Sequence, residues 1–304
     1  INLLFIILSS NNMKIVVGMP AFNEEKNLAS LILKIQKLGY TVLICDDAST
    51  DLTSEVAEKL GAIVVRHGRN LGYGGAIQSL FKKSRDLNAD ILVTFDADGQ
   101  HDTNDIPKLI QPILDNDADL VIGSRFLDVK SDMPKYREIG IKVLTKLTNI
   151  SSDQDITDSQ SGLRSYNKKC LDSLFPTEDA MGVSSEILIK AFQEKLKIVE
   201  LPVIVSYEGD TSTHNPTVHG LSVVATTIKI ISIKHPMMFY GIPGFVFLVI
   251  GLGFSISALD NFAQTRVILT NQTLLALGSI IIGLVLLVTG IILFSIISVV
   301  REKR

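Results

Sequence analysis

Cysteine is almost absent. The chain has two among 304 residues, Cys45 and Cys170, far apart and with Cys45 inside an apolar strand pattern. That excludes a disulfide framework and suits a reducing compartment. An excess of positive charge is missing too. Lys and Arg number 29 against 32 Asp and Glu, for a net charge of -3, so no basic field points to nucleic acid as a partner. Charge of either sign is missing altogether from Met237 to Leu259 and from Thr273 to Val300. Each run exceeds or matches the ~20 apolar residues that cross a bilayer, and a buried core helix seldom reaches such a length. These runs account for a mean hydropathy of +0.33 and a hydrophobic share of 46%. The remainder reads as one ordinary globular domain.

The opening "INLLFIILSSNN" lacks a basic start and a small-residue cleavage site, and its apolar part is too short to span. Met13 begins the first clear strand. Residues 1–12 are therefore expected to be a non-native extension, with the natural start at Met13.

From there strands and helices alternate. "KIVVGM" (14–19) reads as a buried strand. A helix to about Lys37 follows, with Leu28, Leu31, Ile32 and Ile35 on one face and Gly39 past its end. "TVLICDD" repeats the scheme with a helix from about Asp51 to Leu60. "AIVVRH", a helix through about Arg85, "DILVTFD", a helix near 103–116 and "ADLVIGSR" continue it. Beyond Arg125 come a loop, a helix carrying Ile139, Val143 and Leu147, and the polar "ITDSQSGLRSYN" with a strand-like end. A helix near 183–195 leads to the last strand, "KIVELPVIVSY". Alternation of this kind predicts an α/β domain with a mostly parallel sheet covered on both faces. Such sheets gather functional groups at the carboxyl ends of their strands. Asp46/Asp47 and Asp96/Asp98 both fall there.

"VTFDADGQHD" (93–102) crowds Asp96, Asp98, Gln100 and His101 behind a buried strand. Oxygen ligands so close together repel unless a cation sits among them, which points to a hard divalent metal. The plainer alternative is a polar turn ahead of the helix that begins near Asp105. "NLGYGGA" (70–76) fits only the start of a dinucleotide fingerprint, since Ile77 stands where its last glycine belongs and the motif follows the third strand. A glycine loop giving tight passage into a helix is the better reading.

Taken together and in order, "MPAFNEE", "ICDDASTD", "FDADGQH" and "DSQSGLRSY" resemble the family 2 glycosyltransferases of GT-A fold. Within that family they are similar to the synthases that load sugar onto dolichyl or polyprenyl phosphate. The resemblance covers roughly residues 13–235, and it implies a GT-A nucleotide-sugar-binding fold followed by two transmembrane helices. It assigns Pro20, Ala21, Phe22 (commonly Tyr there), Glu24, Ile44 and Asp46 to the nucleotide. It gives Asp96, Ala97, Asp98 and Gln100 to the diphosphate through Mg²⁺ or Mn²⁺, with Asp96, Asp98 and Gln100 as the metal set. Asp96, Asp98, Arg125 and Arg137 become the catalytic group, and Arg137, Lys142, Ser161 and Arg164 the acceptor-phosphate set. The partners implied are a GDP- or UDP-sugar (mannose, glucose or N-acetylglucosamine), dolichyl or polyprenyl phosphate, and membrane lipid. Chemistry agrees, because a divalent cation offsets charge on a departing diphosphate. Two departures stand out: Ile141 occupies a place where relatives carry serine, and "SYEGDTSTHNPTVHG" holds His214 and His219 but no Arg or Lys.

Two other functions fit less well. A processive polysaccharide synthase uses a Gln-x-x-Arg-Trp motif, and the chain has no tryptophan. A silent membrane scaffold has no use for crowded carboxylates. The expected organisation is a catalytic domain over 13–215, an interfacial amphipathic helix over 216–235, a transmembrane hairpin over 236–300 and a basic tail at 301–304. Lys229, Lys234, Arg301, Lys303 and Arg304 flank the hairpin, while its loop (260–272) holds only Asp260 and Arg266. The positive-inside rule places both termini, and the catalytic domain, in the cytoplasm. A lipid phosphate is already largely dianionic at pH 7, so direct displacement with inversion needs no side-chain base. Asp158 is the obvious rival for such a base.

Overall fold

The computed structural model describes residues 13–127, 133, 135–152, 155–205, 228, 232 and 236–302. Of the side chains, those of 135–137, 147, 150–152 and 297–302 are not described. The expected extension (1–12), most of the interfacial helix (216–235) and the last two tail residues thus lie outside the described residues, together with His214 and His219.

β1 (Ile15–Ala21) is apolar and buried almost throughout, the pattern of a strand covered on both faces. α1 (Glu25–Lys37), β2 (Thr41–Asp46), α2 (Thr53–Lys59), β3 (Ile63–Arg66), α3 (Gly72–Asp86) and β4 (Ile91–Thr94) follow as crossover units. Next come α4 (Asp105–Leu114), β5 (Leu120–Ser124), α5 (Lys135–Ser152), β6 (Arg164–Asn167), α6 (Lys168–Ser173), α7 (Val183–Gln193) and β7 (Ile198–Pro202). The seven strands run in the order β3-β2-β1-β4-β6-β5-β7. All pairs are parallel except those of β6, which is antiparallel to both β4 and β5.

Two apolar layers cover the sheet. One is built by Leu28, Leu31, Ile32 and Ile35 of α1 with Ile106, Leu109, Ile110 and Ile113 of α4. The other is built by Ala76, Ile77, Leu80 and Phe81 of α3 with Val183, Ile187 and Leu188 of α7. Phe81 stands edge-on to Tyr166 of β6, with ring centroids 4.9 Å apart.

The helix after residue 134 turns another way than its apolar spacing predicted. Ile141, Leu144, Thr145 and Thr148 face inward, while Ile139 is 63% and Val143 51% exposed. The cause is polar. Thr148 Oγ1 donates to Ser185 Oγ at 3.0 Å, and the Thr145 hydroxyl accepts from the Ser159 N–H at 3.1 Å. These pairs fix the phase of α5 against α7 and the 157–162 loop.

The chain divides into two units, Ile1–Thr227 and Ile228–Arg304. In the second, a π-helical turn (Met237–Gly241) leads into α8 (Ile242–Thr265), and α9 (Thr270–Glu302) returns alongside. Met237–Thr265 and Thr270–Ile296 are long and apolar enough to cross a membrane. Gly244 and Gly283 meet where the helices come closest: a Cβ on either would lie 2.8–2.9 Å from the other's carbonyl oxygen. The loop is shorter than the expected 260–272. α8 runs on to Thr265 and closes with Arg266 in the left-handed region (φ 57°), its N–H bonded to the Phe262 carbonyl.

Candidate active site

The carboxyl ends of β1, β2 and β4 supply one rim of the site. Asn23 turns the chain out of β1 in the left-handed region (φ 57°). Its N–H donates to Ser49 Oγ (2.9 Å), while its own Oδ1 accepts the Thr50 N–H (2.9 Å). Glu24 N–H donates to Thr53 Oγ1, also at 2.9 Å. The loops after β1 and β2 are thereby knit into one rigid edge. Asp46 lies inside that edge rather than on its surface. It is fully buried and accepts from the Ser49 N–H (2.8 Å) and the Ser54 hydroxyl. Ile44 belongs to the core, fully buried, with its strand paired to β1 on one side and β3 on the other, so the structure does not place it at the open rim. Pro20, Phe22 and Glu24 are half-buried along the rim, and Ala21 is buried.

Asp47 has another task. Its carboxylate accepts the N–H groups of Leu71 and Gly72, both at 2.8 Å, and meets His67 Nδ1 at 2.6 Å. The next free N–H groups of α3, those of Gly74 and Gly75, point to the Asp179 carbonyl. A Cβ on Gly74 would overlap the backbone of 178–180. The glycines of "NLGYGGA" let that segment dock against the helix and leave no phosphate cradle there.

At the end of β4, Asp96 and Ala97 lead to Asp98, whose Oδ1 accepts the Gln100 N–H at 3.0 Å. Gly99 takes the left-handed turn (φ 76°) beside Asn27, and Asn27 Nδ2 donates to the Asp98 carbonyl at 3.3 Å. Asp96 lies against Gly162 so closely that a Cβ at 162 would overlap its carboxylate. Tyr73 Oη reaches Asp96 at 3.4 Å.

Electrostatics mark this corner as over-supplied with negative charge. Burial, then the Asp98 charge, with Asp51 and Asp96 adding to it, push the Glu24 carboxyl from 4.5 up to about 7 against an opposing bond from Asn27. A cation is the natural relief. Among the described residues, no three His, Cys, Asp or Glu side chains gather to cage a metal. Asp96, Asp98 and Gln100 instead offer a sparse oxygen set, which fits Mg²⁺ or Mn²⁺ sharing its remaining positions with phosphate oxygens. His101 is held neutral, because burial drives its imidazole down to about 4 despite the pull of Asp98. Its Nε2 lies 4.0 Å from Asp96 Oδ2, too far for a hydrogen bond.

The opposite rim comes from β5, β6 and the 157–162 loop. Arg125, 9% exposed, grips fully buried Asp158 with two bonds, Nε to Oδ2 at 2.6 Å and Nη2 to Oδ1 at 2.8 Å. Burial alone would raise the Asp158 carboxyl, but the guanidinium and the N–H donors outweigh it and hold the group below the ordinary range. Glu200 of β7, which the sequence reading missed, holds the loop from behind. It accepts the N–H groups of Thr157 (2.8 Å) and Asp158 (3.0 Å). A lone Glu in a strand carries no motif, so its alternation with apolar neighbours was the only signal.

The acceptor-phosphate set is not brought together as a cluster of exposed cations. Arg164 is 2% exposed, with Nη1 on the Ser184 carbonyl and Nη2 on the Ser159 carbonyl. Ser161 is buried beside it. Lys142 is exposed, paired with Glu138 at 2.6 Å and lying over the Phe126 ring. Arg137 falls in the first turns of α5, and its side chain lies outside the described part.

The family model for glycosyl transferase family 2 matches residues 16–175. A UDP-N-acetylglucosamine–dolichyl-phosphate N-acetylglucosaminyltransferase of Methanococcus voltae is 37% identical over 62% of this chain and 84% of its own length. A dolichol-phosphate mannosyltransferase of Pyrococcus furiosus is 32% identical over 62% of this chain and 56% of its own. Among solved structures, glucosyl-3-phosphoglycerate synthase of Mycobacterium tuberculosis, in complex with Mn²⁺, UDP and phosphoglyceric acid, superposes with a TM-score of 0.61. That likeness covers 75% of this chain and 82% of the other at 22% identity, and so shows a shared fold. The chain belongs to glycosyl transferase family 2. It is a glycosyltransferase of GT-A-like fold with two candidate membrane spans.

Proposed function

We propose that this enzyme transfers a hexose or N-acetylhexosamine from a nucleoside-diphosphate sugar to dolichyl or polyprenyl phosphate, at the cytoplasmic face of a membrane. The observation that carries the reading is the pairing of two rims: the crowded carboxylates at the end of β4, and the Arg125–Asp158 pair at the end of β5. The rim of Pro20, Phe22 and Glu24 receives the nucleotide. Asp96, Asp98 and Gln100 hold a divalent cation, which when bound offsets the charge left on the diphosphate. The acceptor phosphate needs positioning rather than deprotonation, since with a second pKa near 6 it is mostly dianionic at neutral pH. Attack by its oxygen on the anomeric carbon, from the face opposite the diphosphate, inverts that carbon. A hydroxyl acceptor would need a base, and Asp158 is poorly suited because both its oxygens are held by Arg125. Arg137, on the helix after β5, and Arg125 are the cations assigned to the acceptor. Basic residues flanking the hairpin support the cytoplasmic placement.

The test is to give inverted membrane vesicles a panel of labelled GDP- and UDP-sugars with polyprenyl phosphate. Lipid-extractable label from one donor, lost on chelation, is expected. Label appearing only in right-side-out vesicles would overturn the orientation, and label in no lipid fraction would overturn the acceptor.

A further inference from the structure

Arg164 is a buried cation, and none of its contacts among the described residues is a carboxylate. Its two terminal nitrogens are bonded to the carbonyls of Ser184 and Ser159. The Nε–H has no partner among the described residues. A buried donor without an acceptor is rare in a native fold and marks the place of an ordered water or ion. Arg164 lines a small chamber together with Tyr73, Thr94, Ser161 and Tyr166. The chamber has room for about one water molecule. The Tyr166 hydroxyl lies within bonding reach of the Thr94 and Arg164 side chains, so the wall is polar where the guanidinium meets it.

This chamber backs onto the metal corner. Gly162 forms part of its wall and abuts the Asp96 carboxylate, and the Gly162 carbonyl is fixed by Thr94 Oγ1 at 2.7 Å. Tyr73 Oη, from the same wall, donates to Asp96 Oδ1 at 3.4 Å. The chemistry at the two ends selects the occupant. Arg164 Nε can only donate, while the Tyr73 oxygen, its own hydrogen directed to Asp96, can accept. A molecule between them must accept and donate, which an anion and a cation cannot both do. Chloride is also larger than water and would lie close to the Asp96 charge.

We propose that the chamber holds one ordered water, which accepts from the Arg164 Nε–H and donates to Tyr73 Oη, and so fixes the Asp96 carboxylate from behind. The inference rests on the reading of Asp96, Asp98 and Gln100 as the oxygen set of a divalent cation. It makes Tyr73 and Arg164 positioning residues. A guanidinium in direct contact with Asp96 would neutralise it and compete with the cation; a water and a hydroxyl orient the carboxylate without that competition. A water donating to Tyr73 also makes its hydroxyl a better donor.

The test uses the purified full chain, with Mn²⁺ as the probe at saturating UDP or GDP and binding read from loss of the free-ion EPR signal. Tyr73→Phe removes one link and keeps the ring. Val183→Ile adds a methyl group to the chamber wall and displaces the water. Each is expected to weaken Mn²⁺ binding about tenfold, with metal-free nucleotide affinity and thermal midpoint staying at the parent's values. Asp98→Asn, the control for the cation set, should bind Mn²⁺ far more weakly than either. Parent-like Mn²⁺ affinity in Tyr73→Phe or Val183→Ile, with Asp98→Asn impaired, would overturn the water link and leave the cation set standing. An equal loss of nucleotide affinity without metal would overturn it too, because the effect would then not act through Asp96. Mn²⁺ affinity that falls when gluconate replaces chloride would put an anion in the chamber instead of water. Parent-like Mn²⁺ binding by Asp98→Asn would overturn the cation set itself.

Discussion

Single atoms decide the site. The Asp96 carboxylate rests where only a hydrogen on Gly162 leaves room. Gly162→Ala is therefore expected to keep the fold but move Asp96, weakening nucleotide binding about tenfold or more in the presence of Mn²⁺ and little without it; titration calorimetry with and without the metal reads the difference, and an equal loss in both would contradict the placement. Glu24 gives a pH signature. Its carboxyl, at 4.5 in the unfolded chain, is raised to about 7 in the fold, so the folded state holds its proton more tightly. Below pH 4.5 both states are protonated and the charge costs nothing. The cost grows from pH 4.5 to about 7 and is complete above it. Discounted for partial exposure, Glu24→Gln should gain on the order of 1 kcal/mol above pH 7 and nothing at pH 4. Thermal unfolding across that range checks it, and a gain independent of pH would contradict it. Asp158→Asn leaves Arg125 buried without its counter-charge, at a cost of about 3–5 kcal/mol in thermal unfolding. Its residual turnover should follow pH as the parent's does; a vanished acid limb would instead identify Asp158 as a base. The strand-end position of the carboxylates was legible in the sequence because each acidic pair directly follows an apolar run that reads as a buried strand. Arg164 was not. Its neighbours Ser161 and Tyr166 suggested an open polar loop, whereas antiparallel pairing of β6 turns the guanidinium onto buried carbonyls.

Whole elements were read well where burial is one-sided or total. α1 shows the expected inner face of Leu28, Leu31, Ile32 and Ile35. The buried or nearly buried strands β1, β2, β4 and β5 stand where the apolar runs placed them. Short elements with polar interiors were harder. α6 has six residues and no apolar stripe long enough to see. The phase of α5 follows hydroxyl pairs, which no hydrophobic period reports. The two long apolar helices of the second unit were plain from composition, but the loop between them was not: Asp260 looked like a boundary, yet α8 continues through it to Thr265. Packing of α8 on α9 rests on Gly244 and Gly283, since lipid gives no hydrophobic drive between helices and close backbone approach supplies the contact. Gly283→Leu should force the pair apart at a cost of about 1–3 kcal/mol. Detergent-denaturant titration of the purified chain measures it, and an unchanged midpoint would show that the glycines do not set the contact.

At the scale of the molecule, a nucleotide-sugar fold and a pair of apolar helices occupy one chain, and each explains something the other leaves unexplained. The fold accounts for the crowded carboxylates; the apolar helices support the proposal of a lipid-borne rather than a soluble acceptor. Family membership was legible from four motifs in order, because their joint spacing is far more specific than any member. The sugar was not, since the segment that departs from the family's pattern, "SYEGDTSTHNPTVHG" (206–220), carries no Arg or Lys; it also lies outside the described residues. What distinguishes the proposed reaction from neighbouring ones is which bond breaks. Attack of the lipid phosphate on the anomeric carbon leaves both donor phosphates on the nucleotide, whereas transfer of a sugar phosphate would carry one of them to the lipid. The most direct measurement uses a donor labelled separately in its sugar and in its β-phosphorus, with purified chain and polyprenyl phosphate in vesicles. Sugar label in the lipid extract, with the phosphorus label wholly in the soluble nucleotide, is the predicted result; both labels in the lipid, or sugar label confined to water, would contradict the account.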